Sequence, residues 1–295
     1  MAALRDLSRD IEALVERSGL SVVTIDARRG RAASGLIWDQ GFVLTAEHVL
    51  EHDDEIKVTS GTTTIAASVV GRDPGTDLAV LKAEGLTASP ITRGRGAEVR
   101  PGQLVLAVGR AGQLQVTLGT VSGLSGAYRS WRGGQIERLI ETTAELLPGF
   151  SGGPLLDAEG RVIGINSWNY GRGLSRALPI EAAERIVESL RTHGRIRRAY
   201  LGVGTQPVRL PDALAGQLSQ KTGLLVVTVE PDGPAARAGF LQGDTMISLD
   251  GKPIRQLDDL FNAVRGLEVG STHTVGVIRA GEPKDLGVTV AERAP

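Results

Sequence analysis

Short apolar runs separated by glycine and turn residues dominate the first two thirds of the chain, and that pattern limits the fold more than any other feature. Val22–Ile25, Gly35–Trp38, Gly41–Thr45, Glu55–Thr59, Ala67–Val70, Leu78–Lys82, Leu104–Gly109 and Val116–Ser122 follow one another closely. Arg138–Thr142, Leu155–Leu156 and Val162–Ser167 continue the series. Many short strands at close spacing predict an all-β barrel or sandwich. Aromatic residues make up only 3% of the sequence, so the predicted core is built from Val, Leu, Ile and Ala.

Helical spacing appears at both ends of this region. Leu4, Leu7, Ile11, Leu14 and Val15 predict an amphipathic helix over residues 4–17, and residues 180–190 predict a second that closes the first unit. Residues 191–199, with four arginines, read as a solvated basic linker. Residues 200–295 then form a smaller α+β unit. Its strands lie near Leu201–Thr205, Leu224–Val229, Thr245–Leu249, Thr274–Arg279 and Leu286–Ala291, with helices near Ala235–Ala238 and Leu257–Arg265. Asp250-Gly251 is a tight-turn signal. A length of 295 residues suits two domains.

Composition excludes several classes. The 33 Lys+Arg against 34 Asp+Glu give a net charge of −1, without the basic excess that phosphate neutralisation by a nucleic-acid binder requires. Zero cysteines exclude a disulfide scaffold, a thiol nucleophile and a Cys-ligated metal. No metal-ligand cluster or phosphate loop stands out, so no metal, nucleotide or other cofactor is expected. No apolar run approaches the roughly 18 residues of a membrane helix. Charges throughout the first twenty residues break any signal-peptide core. The chain as it stands therefore reads as cytoplasmic, and as periplasmic or extracellular if a leader was removed.

Chemistry centres on Pro148-Gly149-Phe150-Ser151-Gly152-Gly153-Pro154. Small residues around one serine let a substrate approach the backbone and present N–H groups to an oxyanion. The segment also fits Gly-x-Ser-x-Gly, but that elbow needs a helix after the serine and a histidine last in the chain. Here another strand follows, and the base must lie upstream. Of the four histidines, His48 ends the apolar run Gly41–Ala46, whereas His52 sits among Glu51, Asp53 and Asp54 in a solvated turn. Asp77 opens the run Asp77–Lys82, whereas Asp73 precedes Pro74 as a turn residue. His48, Asp77 and Ser151 thus stand in the chain order His, Asp, Ser of chymotrypsin-type triads.

Three segments, Thr45-Ala-Glu-His48-Val, Gly75-Thr-Asp77-Leu-Ala-Val-Leu-Lys82 and Gly149-Phe-Ser151-Gly-Gly-Pro-Leu155, closely resemble the motifs of HtrA/Deg serine proteases. Thr142, Ala144, Ile163–Asn166 and Leu178-Pro179 also fall where that pattern expects them. Tyr200-Leu201-Gly202-Val203 resembles a PDZ carboxylate-binding loop, and Gly233–Ala236, Ala238-Gly239 and Gly243-Asp244 resemble the rest of a PDZ module. The sequence departs from the family at Phe150, where Asn is usual, at Pro148 and at Glu47.

The resemblance implies a mainly β protein: a chymotrypsin-like double β-barrel over residues 1–190, a linker over 191–199 and a PDZ domain over 200–295. It implies an ATP-independent serine endopeptidase that cleaves unfolded or damaged proteins and assembles as a homotrimer. Catalytic roles fall to His48, Asp77 and Ser151, with the N–H groups of Gly149 and Ser151 as the oxyanion hole. Ser167, Trp168 and Asn169 would offer substrate a strand edge. Tyr200, Leu201, Gly202, Val203, Phe261 and Val264 would bind a peptide C-terminus, with Arg197 or Arg198 adding charge. The alternative is a proteolytically silent scaffold that binds peptides with a locked protease domain.

Overall fold

The computed structural model describes residues 2–28, 30–130, 134–171, 173–196 and 199–292. It divides into two compact units, Met1–Ile196 and Arg197–Pro295. No helix of the described residues is long and apolar enough to cross a membrane.

Helix α1 (Ala2–Gly19) opens the first unit and outruns the predicted helix at both ends. At its C-terminal end, the Ser18 hydroxyl donates back to the Leu14 carbonyl at 2.7 Å and so extends the last turn. Leu14 is buried and Ile11 and Val15 are half-buried, while Leu4 and Leu7 are exposed.

Strands β1 (Val22–Asp26), β2 (Ala33–Asp39), β3 (Phe42–Ala46), β4 (Ile56–Ser60), β5 (Thr63–Asp73) and β6 (Leu78–Lys82) close a barrel in the order β1-β2-β3-β6-β5-β4. Next come β7 (Leu104–Ala111), β8 (Gln113–Leu124) and the ribbon of β9 (Tyr128–Arg129) with β10 (Gln135–Ile136). With β11 (Ile140–Thr142), β12 (Pro154–Asp157), β13 (Val162–Asn166) and β14 (Ser175–Pro179), they build a second closed barrel, β11-β14-β13-β12-β7-β8. Closure leaves no unpaired edge in either.

Strand β6 shows why these runs read as continuously apolar. Side chains alternate across a strand. Ala79 and Leu81 fill the first barrel beside Val23, Ile25 and Val43, while Leu78 and Val80 join a second layer with Leu36, Leu106, Leu156 and Leu178. That layer belongs to both barrels and also takes Ile180, Ala183, Val187 and Leu190 of helix α2 (Ile180–His193).

Helix α2 continues three residues past the expected boundary at residue 190. Gly194, at φ 70°, then caps it by donating its N–H to the Leu190 carbonyl at 2.9 Å. The Gly194 carbonyl lies so near β5 that a Cβ on Gly71 would sit 2.5 Å from its oxygen. The first part of the expected linker is therefore packed structure, and the division falls after Ile196. Arg197 and Arg198 lie outside the described residues.

In the second unit, β15 (Ala199–Tyr200) pairs with the final strand β22 (Ala291–Glu292). Strand β16 (Val203–Arg209), helix α3 (Asp212–Leu218), β17 (Thr222–Val229), α4 (Pro234–Arg237), β18 (Thr245–Leu249), β19 (Lys252–Pro253), α5 (Leu257–Arg265), β20 (Thr272–Arg279) and β21 (Glu282–Thr289) complete it. The sheet order is β16-β17-β18-β20-β21, with β19 hairpinned on β18. Asp250 and Gly251 both adopt positive φ, 47° and 74°, as a type I′ turn demands. Helix α3 was not anticipated. It buries no residue fully and only leans Leu214, Ala215 and Leu218 on Leu210, Ile247 and Ile278.

Asp244 is the buried charge of this unit, with a side chain only 1% exposed. It accepts from Arg279 Nε at 2.8 Å, Arg279 Nη2 at 2.7 Å and the Leu241 N–H at 2.9 Å. Burial alone would raise its pKa, but the Arg279 and Leu241 bonds outweigh it and hold the carboxyl below the usual carboxylate range. A depressed carboxyl pKa contributes stability above the unfolded value, and that stability is lost as pH falls through the folded value. Asp244→Asn is expected to destabilise the second unit by about 2 kcal/mol at neutral pH. Urea unfolding of variant and parent should converge as the pH falls through the depressed pKa of Asp244.

Candidate active site

Asp77 is placed by a turn that Asp73 builds. The Asp73 carboxylate accepts from the Gly75 N–H at 3.3 Å, the Thr76 N–H at 3.0 Å and the Thr76 hydroxyl at 2.7 Å. Asp77 leaves this turn at φ 57°, a left-handed conformation that Asp tolerates at a cost on the order of 1 kcal/mol.

The side chain of Asp77 is almost wholly buried, so its charge needs donors. The His48 N–H supplies one at 3.0 Å, and His48 Nδ1 lies 2.9 and 2.8 Å from the two carboxylate oxygens. Ser167 Oγ donates to the carboxylate as well, and Asn169 Nδ2 does so at 3.2 Å. The Asp77 carbonyl also accepts the Glu47 N–H at 3.1 Å. With Nδ1 committed to a carboxylate, the imidazole keeps Nε2 free to act as a base.

His48 comes from the 3-10 turn Glu47–Val49 that ends β3, in the first barrel. Ser167 and Asn169 follow β13, in the second. Below them, buried Tyr170 donates to the Thr76 carbonyl at 2.7 Å. Burial, reinforced by the charges of Asp77 and Asp73, pushes its phenol well above the usual range, so it remains a donor.

Ser151 sits on a loop pinned from both barrels. Phe150, fully buried, packs so closely on Gly109 that a Cβ there would lie 2.4 Å from the ring. The Gly152 N–H donates to the Asn166 carbonyl at 2.9 Å, and the Ser151 carbonyl accepts the Ser34 N–H at 3.3 Å. Ser151 Oγ accepts from the Trp168 N–H at 3.2 Å, and no hydrogen bond joins it to His48 among the described residues. Among those residues, too, no acceptor takes the N–H of Gly149 or of Ser151. Two unpaired donors beside a serine hydroxyl are what a developing oxyanion requires.

The expected substrate edge differs from a strand. Trp168–Tyr170 form a 3-10 turn capped by Ser167, whose hydroxyl accepts the Asn169 N–H at 3.0 Å. Ser167 and Asn169 turn their side chains to Asp77, and Trp168 is 46% exposed. Sequence reasoning missed this support for Asp77, and it missed Ser34 altogether, since neither leaves a local pattern.

In the second unit, β16 has β17 on one side only and so offers an open edge. Gly202 holds φ 80°, and its N–H has no acceptor among the described residues. Helix α5 lies beside β15 and β16. Val203 and Val264 are half-buried and Phe261 is exposed. Leu201 departs from the expected pocket: it is 6% exposed and belongs to the core with Leu224, Val226 and Phe240. The Tyr200 hydroxyl bonds Glu230.

Two closed six-stranded barrels, with His48 and Asp77 in contact, have the architecture of a trypsin-like peptidase domain. Residues 33–165 match the family model of the trypsin-like peptidase domain, and residues 199–290 that of the PDZ domain. The probable periplasmic serine endoprotease DegP-like of Ectopseudomonas mendocina (strain ymp) is 38% identical over 263 residues, which are 86% of this chain and 55% of that one. The chain thus spans about half the length of the curated relatives it matches.

Among solved structures, the HtrA-type protease AlgW with tripeptide is 32% identical, with a TM-score of 0.76 over 96% of this chain and 97% of that one. The serine endoprotease from Yersinia pestis is 29% identical, with a TM-score of 0.77 over 95% and 97%. The chain belongs to the HtrA family of serine proteases. The curated relatives are described as periplasmic, so the cytoplasmic expectation finds no support in them.

Gly152, at φ 87°, tests how tightly the serine loop is held. A Cβ there would lie 2.2 Å from the Ser34 carbonyl oxygen. Gly152→Ala is expected to destabilise the first unit by about 3 kcal/mol. Calorimetry should show a lowered transition for that unit and an unchanged one for the second.

Proposed function

We propose that this chain is an ATP-independent serine endopeptidase that cleaves unfolded or damaged proteins. One observation carries the reading: the buried Asp77–His48 pair stands beside a serine whose own N–H and that of Gly149 are unpaired. In the reaction, Ser151 Oγ attacks the scissile carbonyl while His48 takes its proton at Nε2. Asp77 holds the imidazole in the matching tautomer and stabilises the imidazolium. The Gly149 and Ser151 N–H groups receive the oxyanion, each worth about 3 kcal/mol of barrier. His48 then returns the proton to the leaving amine, and water repeats the sequence on the acyl-enzyme.

The second unit, on this reading, captures the C-terminus of a peptide. The free edge of β16 would extend as a strand, the Gly202 N–H would face the carboxylate, and Val203, Phe261 and Val264 would contact the terminal side chain. The tripeptide carried by the related AlgW structure supports a peptide ligand. Family likeness supports a homotrimer, and the exposed Leu4 and Leu7 of α1 are available for it. The relatives' description supports action in the periplasm.

A silent peptide-binding scaffold is favoured by one observation, the hydrogen bond of Ser151 Oγ to Trp168 N–H rather than to His48. Labelling with a serine-directed fluorophosphonate separates the two. Stoichiometric labelling is expected, and Ser151→Ala should abolish it and lower kcat on a denatured protein by about 10⁴-fold or more. Ser167→Ala, which removes one donor from Asp77, should lower kcat by about tenfold with little change in KM. Absence of labelling in the parent chain under every condition would establish the scaffold. In the second unit, calorimetric titration should show tight binding of a free-acid, apolar-ended peptide and weak binding of its amide.

A further inference from the structure

The connection between β1 and β2 carries Arg28, Arg29 and Arg31 in a chain whose net charge is −1. Both of its ends are tied to the reaction centre. Ala27, buried just after β1, accepts the Glu51 N–H on its carbonyl at 3.3 Å, and Glu51 closes the turn that carries His48. Ala32, just before β2, sets its carbonyl oxygen 3.3 Å from the point that a Cβ on Gly149 would occupy. Further along, the Ser34 N–H donates to the Ser151 carbonyl. The loop therefore runs from the histidine turn to the serine loop, on the first-barrel side of both.

Its described arginines are not neutralised. Arg28 is half-buried and donates Nε to the Arg31 carbonyl at 3.0 Å, which closes the loop on itself. Arg31 is exposed, and among the described residues no carboxylate bonds either guanidinium. Asp26 and Glu51, at the foot of the loop, are exposed and bond to neither. Arg29 lies outside the described residues. Other arginines near the site are committed. Arg72 joins Glu47 and Asp53, Arg176 joins Glu141, and Arg110 donates to the Val22 and Gly19 carbonyls. Two unopposed cations on the rim of a site complement anionic groups on whatever passes them.

Which half of a substrate passes them follows from the chemistry. The leaving amine takes its proton from His48, so the leaving half starts at the imidazole and runs out along the first barrel. The acyl half stays with the serine loop and the Ser167–Asn169 turn, both from the second barrel. Residues 27–32 are tied to the histidine turn at one end and lie against Gly149 at the other, so the leaving half meets them.

We infer that Arg28 and Arg31 form a leaving-side subsite that selects acidic residues just after the scissile bond. The inference rests on the protease reading above and narrows its substrates to unfolded segments with Asp or Glu on the C-terminal side of the cut. Neither arginine touches the bonds that form or break.

Acyl transfer reads this side of the site alone. An acyl-enzyme is formed from one peptide ester and captured by an added amine in place of water. The amine nitrogen bonds the acyl carbon, and His48 takes the amine's proton and returns it to Ser151 Oγ as that bond breaks. The amines are glycine-initiated tripeptide amides carrying two aspartates, two serines or two lysines, and Ser151→Ala is the blank. At low salt the full parent chain should transfer to the aspartate amine about tenfold better than to the lysine amine, with serine between. Salt at about 0.5 M should shrink that ratio to about twofold. Arg31→Glu should bring it close to one, and Arg28→Glu combined with Arg31→Glu should invert it.

Fluorophosphonate labelling involves no leaving-side residue and should keep its parent rate in both variants. Arg31 is exposed with no side-chain bond, so its variant decides the matter if loss of the Arg28 bond disturbs the loop. Equal capture of the aspartate and lysine amines by the parent, or an unchanged preference in Arg31→Glu, would overturn the inference while labelling upholds the protease reading. A parent chain that neither labels nor forms an acyl-enzyme would overturn both.

Discussion

The buried carboxylate of Asp77 is the constraint on which the first unit depends. An unpaired charge at this depth would cost several kcal/mol, enough to consume much of a domain's net stability. Its donors are the His48 N–H and ring from the first barrel and the Ser167 and Asn169 side chains from the second. Neither barrel alone can satisfy the group. Docking the barrels, burying the shared layer around Leu78 and Leu106, and orienting His48 are therefore parts of one event. The ribbon of β9 and β10 adds to it, since the Ser130 hydroxyl donates to the Gly75 carbonyl at 2.8 Å, two residues from Asp77.

Close backbone approach performs the same work on the other side of the seam. Gly152 and Gly153 leave no room for a Cβ, which would lie 2.2 Å from the carbonyl oxygens of Ser34 and Val108 respectively. Side chains there would push the serine loop off both strands. Small residues thus bring the loop within hydrogen-bond reach of Ser34, and the single large residue, Phe150, anchors it by filling space that Gly109 leaves open. A chain with only four phenylalanines uses one of them for this anchor.

Strand positions were legible in the sequence because alternation and turn chemistry are local. The distinction between Asp73 and Asp77 was legible for the same reason: an Asp before Pro74 builds a turn, and the observed bonds from Gly75 and Thr76 are that turn. The set His48, Asp77 and Ser151 followed from chain order and motif, and the structure gathers His48 and Asp77 into contact. What was not legible depends on pairs distant in the chain. Ser167 reaches Asp77 across 90 residues and Ser34 reaches Gly149 across 115, and no periodicity marks either serine. Helix α3 escaped because it buries no residue fully and so has a weak apolar stripe. The end of α2 was misplaced because the basic residues beyond 190 read as a linker, although Gly194 supplies an ordinary left-handed helix stop.

The bond from Trp168 N–H to Ser151 Oγ bears directly on how much the resting geometry restrains the reaction. The hydroxyl accepts this bond and keeps its own proton to turn towards His48, so the rearrangement costs at most one neutral hydrogen bond, worth about 1 kcal/mol. Each oxyanion donor contributes about 3 kcal/mol to the transition state. The exchange is thus small beside what the loop offers once the carbonyl arrives, and part of it is returned when His48 becomes the hydroxyl's new partner. Loss of the Gly149 donor would be the larger penalty. The weight of control in this site therefore lies on the Leu147–Phe150 turn rather than on the rotamer of Ser151, and Pro148 and the bond from buried Ser34 to the Gly149 carbonyl both stand at that turn.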